Sequence, residues 1–93
     1  MTQEELLNKL EIKGDRNVEA DTITVSTNNS NLYSKWYTIL DKSDLVYLVT
    51  EETIMDIDET KLLYLTEDDT YKVTLTGDLD NNVYKLIVEE NYD

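Results

Sequence analysis

The chain has 93 residues and a formal charge of −13, with 21 acidic and 8 basic residues and neither histidine nor cysteine. Its length predicts a single acidic domain over residues 1–93 with a modest core. The missing residue types exclude a Ser-His-Asp triad, a Cys-His pair and zinc sites built on His or Cys. Paired carboxylates remain available for catalysis, but a chain this small rarely supplies a substrate cleft. We therefore expect a protein that is not an enzyme and uses no cofactor.

The first predicted element is a helix. Thr2-Gln3-Glu4-Glu5 has the spacing of a capping box, and Leu6, Leu7 and Leu10 follow at helical spacing. This pattern predicts a helix over about residues 3–12, with Gly14 placed to end it in the left-handed conformation. Residues 22–26 then alternate polar and apolar side chains, which predicts a half-buried strand.

The middle of the chain is less clear. Residues 32–40 fit a helical face through Tyr33, Trp36, Tyr37 and Leu40, but they also fit a strand by residue preference. We favour a strand because apolar residues fill both alternating sets. Residues 45–49 are apolar on both faces, which predicts a central, covered strand. Residues 51–59 form an acidic connector, either a helical turn or a short strand.

The last third predicts an antiparallel meander. Three strand-length runs, residues 61–66, 71–76 and 83–88, are separated by turn-type clusters at 67–70 and 77–82. Alternation in the second run predicts one wet face. The fold class is therefore α+β, an N-terminal helix packed on an antiparallel sheet of about four to six strands, ending in a three-stranded meander.

The negative charge is concentrated in the second half of the chain. Residues 1–46 hold eight acids and five bases, whereas residues 47–93 hold thirteen acids and three bases. A solvated surface that maintains solubility is one interpretation. However, concentrated like charge destabilises a fold by self-repulsion, so its retention favours a surface for a basic partner. The clusters include Glu89, Glu90 and Asp93 at the C-terminus, and the candidate partner-binding residues are Glu51, Glu52, Asp56, Asp58, Glu59, Glu67, Asp68, Asp69, Asp78 and Asp80.

One acidic pattern is similar to a calcium-binding loop. Asp78, Asp80, Asn82 and Glu89 fall at positions one, three, five and twelve of an EF-hand loop. Position six is Val83, where that loop needs glycine for its sharp turn. The sequence therefore predicts a hairpin turn followed by a strand, and no metal site.

The seven tyrosines are candidates both for the core and for an interface. Tyr47, Tyr71 and Tyr84 lie on apolar faces and are predicted to be core residues. Tyr64 fits either role, and Tyr33, Tyr37 and Tyr92 are candidates for exposure.

The N-terminal segment lacks the basic start and apolar run of a signal peptide. No apolar run approaches the roughly 20 residues of a membrane helix. We therefore expect a cytoplasmic protein. Its negative charge argues against direct binding to nucleic acid or to anionic membranes.

The chain as a whole resembles small acidic phage-encoded inhibitors of bacterial defence nucleases, in particular anti-CRISPR proteins and other DNA mimics. Short length, a compact α+β pattern, the absence of His and Cys, and clusters such as Glu51-Glu52 and Glu67-Asp68-Asp69 carry this resemblance. It is one of type without a family motif, so no functional position is transferred. It implies an inhibitor that blocks the basic groove of a nucleic-acid-binding protein, with an RNA-guided nuclease as the partner, in the cytosol of a bacterial host.

Two other functions remain open. The same charge suits an immunity-type protein that neutralises a toxin enzyme. A small structural or assembly module would instead pair through an exposed sheet edge as a homodimer.

Overall fold

A computed structural model describes residues 1–92, the side chain of Ile57 excepted, as an α+β fold with two helices on one antiparallel sheet of six strands. The elements in chain order are α1 (Gln3–Lys9), β1 (Asp15–Glu19), β2 (Thr22–Thr27), α2 (Ser30–Lys42), β3 (Val46–Ile54), a 3₁₀ turn (Met55–Ile57), β4 (Glu59–Thr66), β5 (Tyr71–Asp78) and β6 (Val83–Glu90).

The strands lie in the order β1-β2-β6-β5-β4-β3, and every neighbouring pair is antiparallel. The chain makes the β1–β2 hairpin, crosses through α2 to the far edge of the sheet, and returns as the meander β3-β4-β5-β6. The predicted meander is confirmed, and so is the strand predicted at 22–26.

Both helices pack on one face of the sheet, where a single apolar core forms. Leu6 and Leu7 of α1 and Trp36 and Leu40 of α2 are buried there. Alternate residues of the strands complete the core, namely Ile23, Val25, Leu62, Tyr64, Val73, Leu75, Tyr84, Leu86 and Val88. The other face carries no helix among residues 1–92, but on β5 it is only partly open, since Lys72 and Thr76 are half-buried and Thr74 is buried.

The capping box at the start of α1 is confirmed. The Glu5 N–H donates to Thr2 Oγ1 at 3.1 Å, and the Thr2 N–H donates to Glu5 Oε1 at 3.2 Å. The predicted role of Gly14 is wrong, because the helix ends at Lys9, five residues earlier. Glu11 adopts the left-handed conformation with φ 58°, and the Ile12 N–H donates to the Leu7 carbonyl at 3.1 Å, as in a Schellman motif.

The strand favoured over residues 32–40 is wrong, because this segment lies within α2. Asn29 caps the helix, since its side chain accepts hydrogen bonds from the N–H groups of Asn31 and Leu32. Trp36 and Leu40, one turn apart, are fully buried against the sheet. Apolar residues occur at both odd and even positions of 32–40 because they follow one face of a helix. Packing against the sheet outweighs the preference of these residue types for strands.

The central position predicted for residues 45–49 is also wrong. β3 is an edge strand that pairs with β4 alone, and Val46 is its one buried residue. An apolar run does not reveal a strand's place in the sheet. Here the α2 crossover delivers the chain to the outer edge. The acidic connector at 51–59 is the second half of this strand, the 3₁₀ turn and the start of β4.

Candidate acidic partner-binding surface

The meander places the candidate acids at two ends of the sheet and along one edge. Successive connections alternate between the ends of an antiparallel meander, so turn 67–70 lies at the opposite end from the other two connections. The eight residues of β5 separate the two ends by roughly 25 Å. The ten candidates therefore divide into a five-acid end (Asp56, Asp58, Glu59, Asp78 and Asp80), turn 67–70 (Glu67, Asp68 and Asp69) and the β3 edge (Glu51 and Glu52).

The five-acid end is one continuous surface because its two connections touch. The Leu79 N–H donates to the Asp58 carbonyl at 3.1 Å, which ties the β5–β6 turn to the β3–β4 connection. Glu59 and Asp78 are directly opposite each other in the β4–β5 ladder. Like charges in this position repel, because their Cβ atoms are only about 5 Å apart. The fold therefore retains an unfavourable pair here.

Apolar side chains stand exposed among these acids. Met55 is 83% exposed, and Ile54 and Leu79 are 46% and 43% exposed. The sequence analysis did not single them out as a site, although Leu79 lies between Asp78 and Asp80 and Met55 precedes Asp56. An apolar centre with a polar rim is typical of a protein interface.

None of the ten candidates forms an ion pair among the described residues, although Lys61 lies opposite Glu52 in the β3–β4 ladder. The ion pairs within residues 1–92 join Arg16 to Glu4 at 3.1 Å and Lys72 to Glu89 at 3.3 Å, and neither includes a candidate residue. The register places Lys61, Lys72 and Lys85 on the face of the sheet opposite the helices. The three lysines of residues 47–93 therefore project from the face of the sheet that the helices do not cover.

Two acids of turn 67–70 have structural roles that the sequence did not reveal. Asp68 accepts hydrogen bonds from Thr66 Oγ1 at 2.8 Å and from the Thr70 N–H at 3.1 Å. The Thr66 hydrogen bond, followed by those from Thr70, lowers the pKa of Asp68. Asp69, which has φ 59°, accepts from the Tyr47 hydroxyl. Only Glu67 in this turn has no such bond among the described residues.

Glu51 and Glu52 point to opposite faces of the sheet. Glu52 is opposite Lys61 on the open face, whereas Glu51 is opposite Leu62 on the helix face. Burial, followed by the nearby Tyr37, Asp41 and Glu51, raises the pKa of Tyr64 to about 12. The helix face of β3 is therefore negative as well.

The tyrosines divide between core and surface. Tyr84 is buried as predicted and stacks on Tyr33 with ring centroids 4.6 Å apart, and Tyr64 is buried too. The core prediction for Tyr47 is wrong, since it is 44% exposed on the edge strand. Tyr71 is half-buried against the core, and its hydroxyl donates to the Met1 carbonyl at 2.7 Å. Tyr37 and Tyr92 are exposed.

The calcium-loop pattern does not converge in three dimensions. Asp78 and Asp80 lie at one end of β6, while Glu89 lies near its other end and pairs with Lys72. The predicted turn followed by a strand is confirmed at 79–90. No group of three acids in the described part of the chain is placed to hold a metal ion. Asp93, the last member of the C-terminal cluster, lies outside the described residues.

No protein-family model, curated protein or solved structure matches the chain. Among residues 1–92, neither helix is long and apolar enough to cross a membrane.

Proposed function

We propose that this protein is a non-enzymatic inhibitor whose acidic surface mimics nucleic acid and blocks a basic DNA- or RNA-binding groove of a nuclease. One observation carries the proposal: five acids without an ion-pair partner among the described residues lie together with exposed apolar side chains at one end of the sheet. Solubility alone needs neither the exposed Met55 nor the repelling Glu59–Asp78 pair. Both features suit an interface that a basic partner completes.

The spacing of the acids suits a groove that holds a nucleic-acid backbone. Duplex DNA presents one charge per roughly 1.7 Å of axis, and backbone-reading grooves recognise charge and shape without reading bases. The protein presents carboxylates at both ends of the sheet and along β3, over roughly 25 Å. An RNA-guided nuclease, which holds a heteroduplex in a positively charged channel, is the partner class we favour. Such a partner implies action in the bacterial cytosol.

The five-acid end can be tested with a charge-reversal variant. Asp56 and Asp80 are exposed, and their side chains make no hydrogen bond or ion pair among the described residues. We expect the variant D56K/D80K to remain folded and to lose at least about tenfold in partner affinity, because each reversal removes an attraction and adds a repulsion. The matched control, D15K/E19K, changes the net charge equally on the opposite edge strand.

The partner can be identified by capture from a low-GC bacterial lysate at low salt, with elution in a salt gradient and mass spectrometry. The captured nuclease is then assayed with each variant. Inhibition that survives D56K/D80K, or that is lost equally in D56K/D80K and D15K/E19K, would contradict the assignment of this surface. Reversing Glu67, Asp68 and Asp69 together is a poorer test, since it also removes the hydrogen bonds of turn 67–70.

The apolar centre has its own test. We expect Met55→Ala to weaken partner binding by about tenfold without affecting the free protein, because Met55 is exposed before binding and buried after it. Val18→Ala is the matched control, since Val18 is exposed on the opposite edge. Equal binding by both variants would show that charge alone drives the interaction.

The exposed Met55 also favours a second candidate, an immunity-type protein that fills the cleft of a toxin enzyme. Such a cleft offers an apolar pocket beside a basic rim. The neighbouring genes distinguish the two: a toxin gene supports immunity, and phage structural genes support the nuclease inhibitor.

A further inference from the structure

The outer edge of β3 is a long strand edge with no strand partner among the described residues. β3 has nine residues and pairs only with β4. Alternate main-chain groups of an edge strand point away from its neighbour. From Leu48 to Ile54 every residue is exposed. This edge offers main-chain donors and acceptors to an added strand.

The opposite edge strand, β1, is shorter than β3. β1 has only five residues, and its Arg16 is engaged by Glu4, Asn8 and the Ile12 carbonyl. Short, charged edge strands resist pairing with other chains. β3 instead exposes Leu48 and Val49, and its end at Ile54 leads directly to Met55.

The charge on β3 selects the kind of strand that can pair there. Glu51 projects to the helix face and Glu52 to the open face, and neither has an ion-pair partner within residues 1–92. A second copy of this chain would bring another charge of −13 against the first. A lysine- or arginine-bearing strand would be attracted from either face, and its apolar residues would cover Leu48 and Val49.

We propose that the β3 edge binds an extended basic segment of the partner as a seventh, antiparallel strand. The identity of that partner rests on the proposed function, whereas the mode of binding rests on the edge itself. Strand addition of this kind derives affinity from main-chain hydrogen bonds and specificity from alternate side chains. It would place the partner chain next to the five-acid end.

A defined peptide tests the edge without knowledge of the partner. The probe is a synthetic peptide of alternating lysine and valine with nine residues, the length of β3. A second peptide of the same sequence is N-methylated at alternate residues, which keeps its charge but removes the donors of one edge. Both are titrated into ¹⁵N-labelled protein at low salt.

We expect the first peptide to shift the amide signals of residues 48–54 and slow their hydrogen exchange, and the second to bind at least about tenfold more weakly. Equal binding of the two peptides, shifts confined to the turns, or no binding would each overturn the proposal. Concentration-dependent protection of residues 48–54 without peptide would overturn it too, because the edge would then be occupied by a second copy.

A variant separates this proposal from the proposed function. Val49 lies at a β-bulge of an edge strand and has no partner residue across the ladder, which is a position where sheets accept proline. We expect Val49→Pro to weaken binding of the unmodified peptide at least about tenfold, and Val49→Ala, which keeps the N–H and loses only part of an apolar contact, to weaken it much less. If Val49→Pro binds the captured nuclease normally while D56K/D80K does not, the edge proposal fails and the proposed function stands. If D56K/D80K binds the nuclease normally but the peptide results hold, the edge proposal stands and the proposed function fails.

Discussion

At the residue scale, the loop after α1 is fixed by a hydrogen bond from Trp36 and by the close packing of Gly14. The Trp36 Nε1–H donates to the Lys13 carbonyl at 2.9 Å. Gly14 has φ +139°, and a Cβ there would lie 2.8 Å from Val25 Cγ1 and 3.1 Å from Trp36 Cζ2. Only glycine fits between the strand and the helix.

We therefore expect Gly14→Ala to lower the free energy of unfolding by about 1–3 kcal/mol, because it adds backbone strain to a steric clash. Urea unfolding followed by Trp36 fluorescence measures it. The control, Asn17→Ala, changes an exposed β1 residue and should stay within about 0.5 kcal/mol of the parent. A Gly14→Ala protein as stable as the control would mean that the loop relaxes freely.

Asp68 links the stability of turn 67–70 to pH. Its pKa is lowered below the ordinary 3.8, first by the Thr66 hydrogen bond and then by Thr70. The stabilisation is therefore present above pH 3.8 and is lost as the pH falls through the lower folded-state pKa. We expect Asp68→Asn to be less stable than the parent at neutral pH and to lose less stability below pH 3.8.

Urea midpoints at neutral and acid pH test this expectation. Glu67→Gln removes the same charge from the neighbouring residue, which has no hydrogen bond in the turn, and serves as the control. Parallel pH curves for the parent and Asp68→Asn would contradict the prediction.

At the element scale, α2 exists because of its cap and its buried face. Asn29 Oδ1 accepts from Asn31 and Leu32 at 2.9 and 3.3 Å, which satisfies donors that the helix itself leaves unpaired. We expect Asn29→Ala to cost about 1 kcal/mol of stability. Asn28→Ala is the matched control, because the Asn28 side chain makes no hydrogen bond in the described structure. Equal urea midpoints for the two variants would show that the cap is dispensable.

Elements were predictable where local pattern and packing agree. Val73 and Leu75 alternate with Lys72 and Thr76, so β5 and its turns were evident from the sequence. The sequence around Trp36 and Leu40 fitted either a helix or a strand. The helix forms because it lets both side chains pack against the sheet. The apolar run at 46–49 does not reveal its position, because the order of strands depends on the crossover of α2.

The candidate site was predictable in part for the same reason. The acidic clusters are visible in the sequence, and a meander places their turns at opposite ends. The contact between Leu79 and Asp58 and the hydrogen bond of Asp69 with Tyr47 depend on segments distant in sequence, whereas the hydrogen bonds of Asp68 are local to its turn. These details divide the acids into functional candidates and structural ones.

At the scale of the whole molecule, self-repulsion should make the free protein more stable in salt. The protein has a charge of −13, and salt shortens the distance over which its acidic groups repel one another. We therefore expect the midpoint of thermal unfolding to rise by several degrees between about 10 mM and about 300 mM NaCl. The complex should respond in the opposite direction and dissociate. Circular dichroism melts and binding isotherms in the same buffers measure the two effects.

The control for this experiment is D15K/E19K, which has less net negative charge and should respond less to salt. A melting temperature that falls or stays constant with salt would show that self-repulsion does not limit stability. If the complex dissociates at a salt concentration that raises the melting temperature of the free protein, unfolding cannot be the cause of the dissociation.

The position of β6 has a consequence for how the chain matures. β6 is the last strand in the sequence, yet it lies between β2 and β5 and joins the N-terminal hairpin to the meander. Until residues 83–90 are synthesised, the nascent chain holds two separate fragments of sheet whose inner edges are both open. Completion of the sheet therefore waits for β6, and a partner that engaged the nascent chain before that point would meet a different set of edges from the one present in the folded protein.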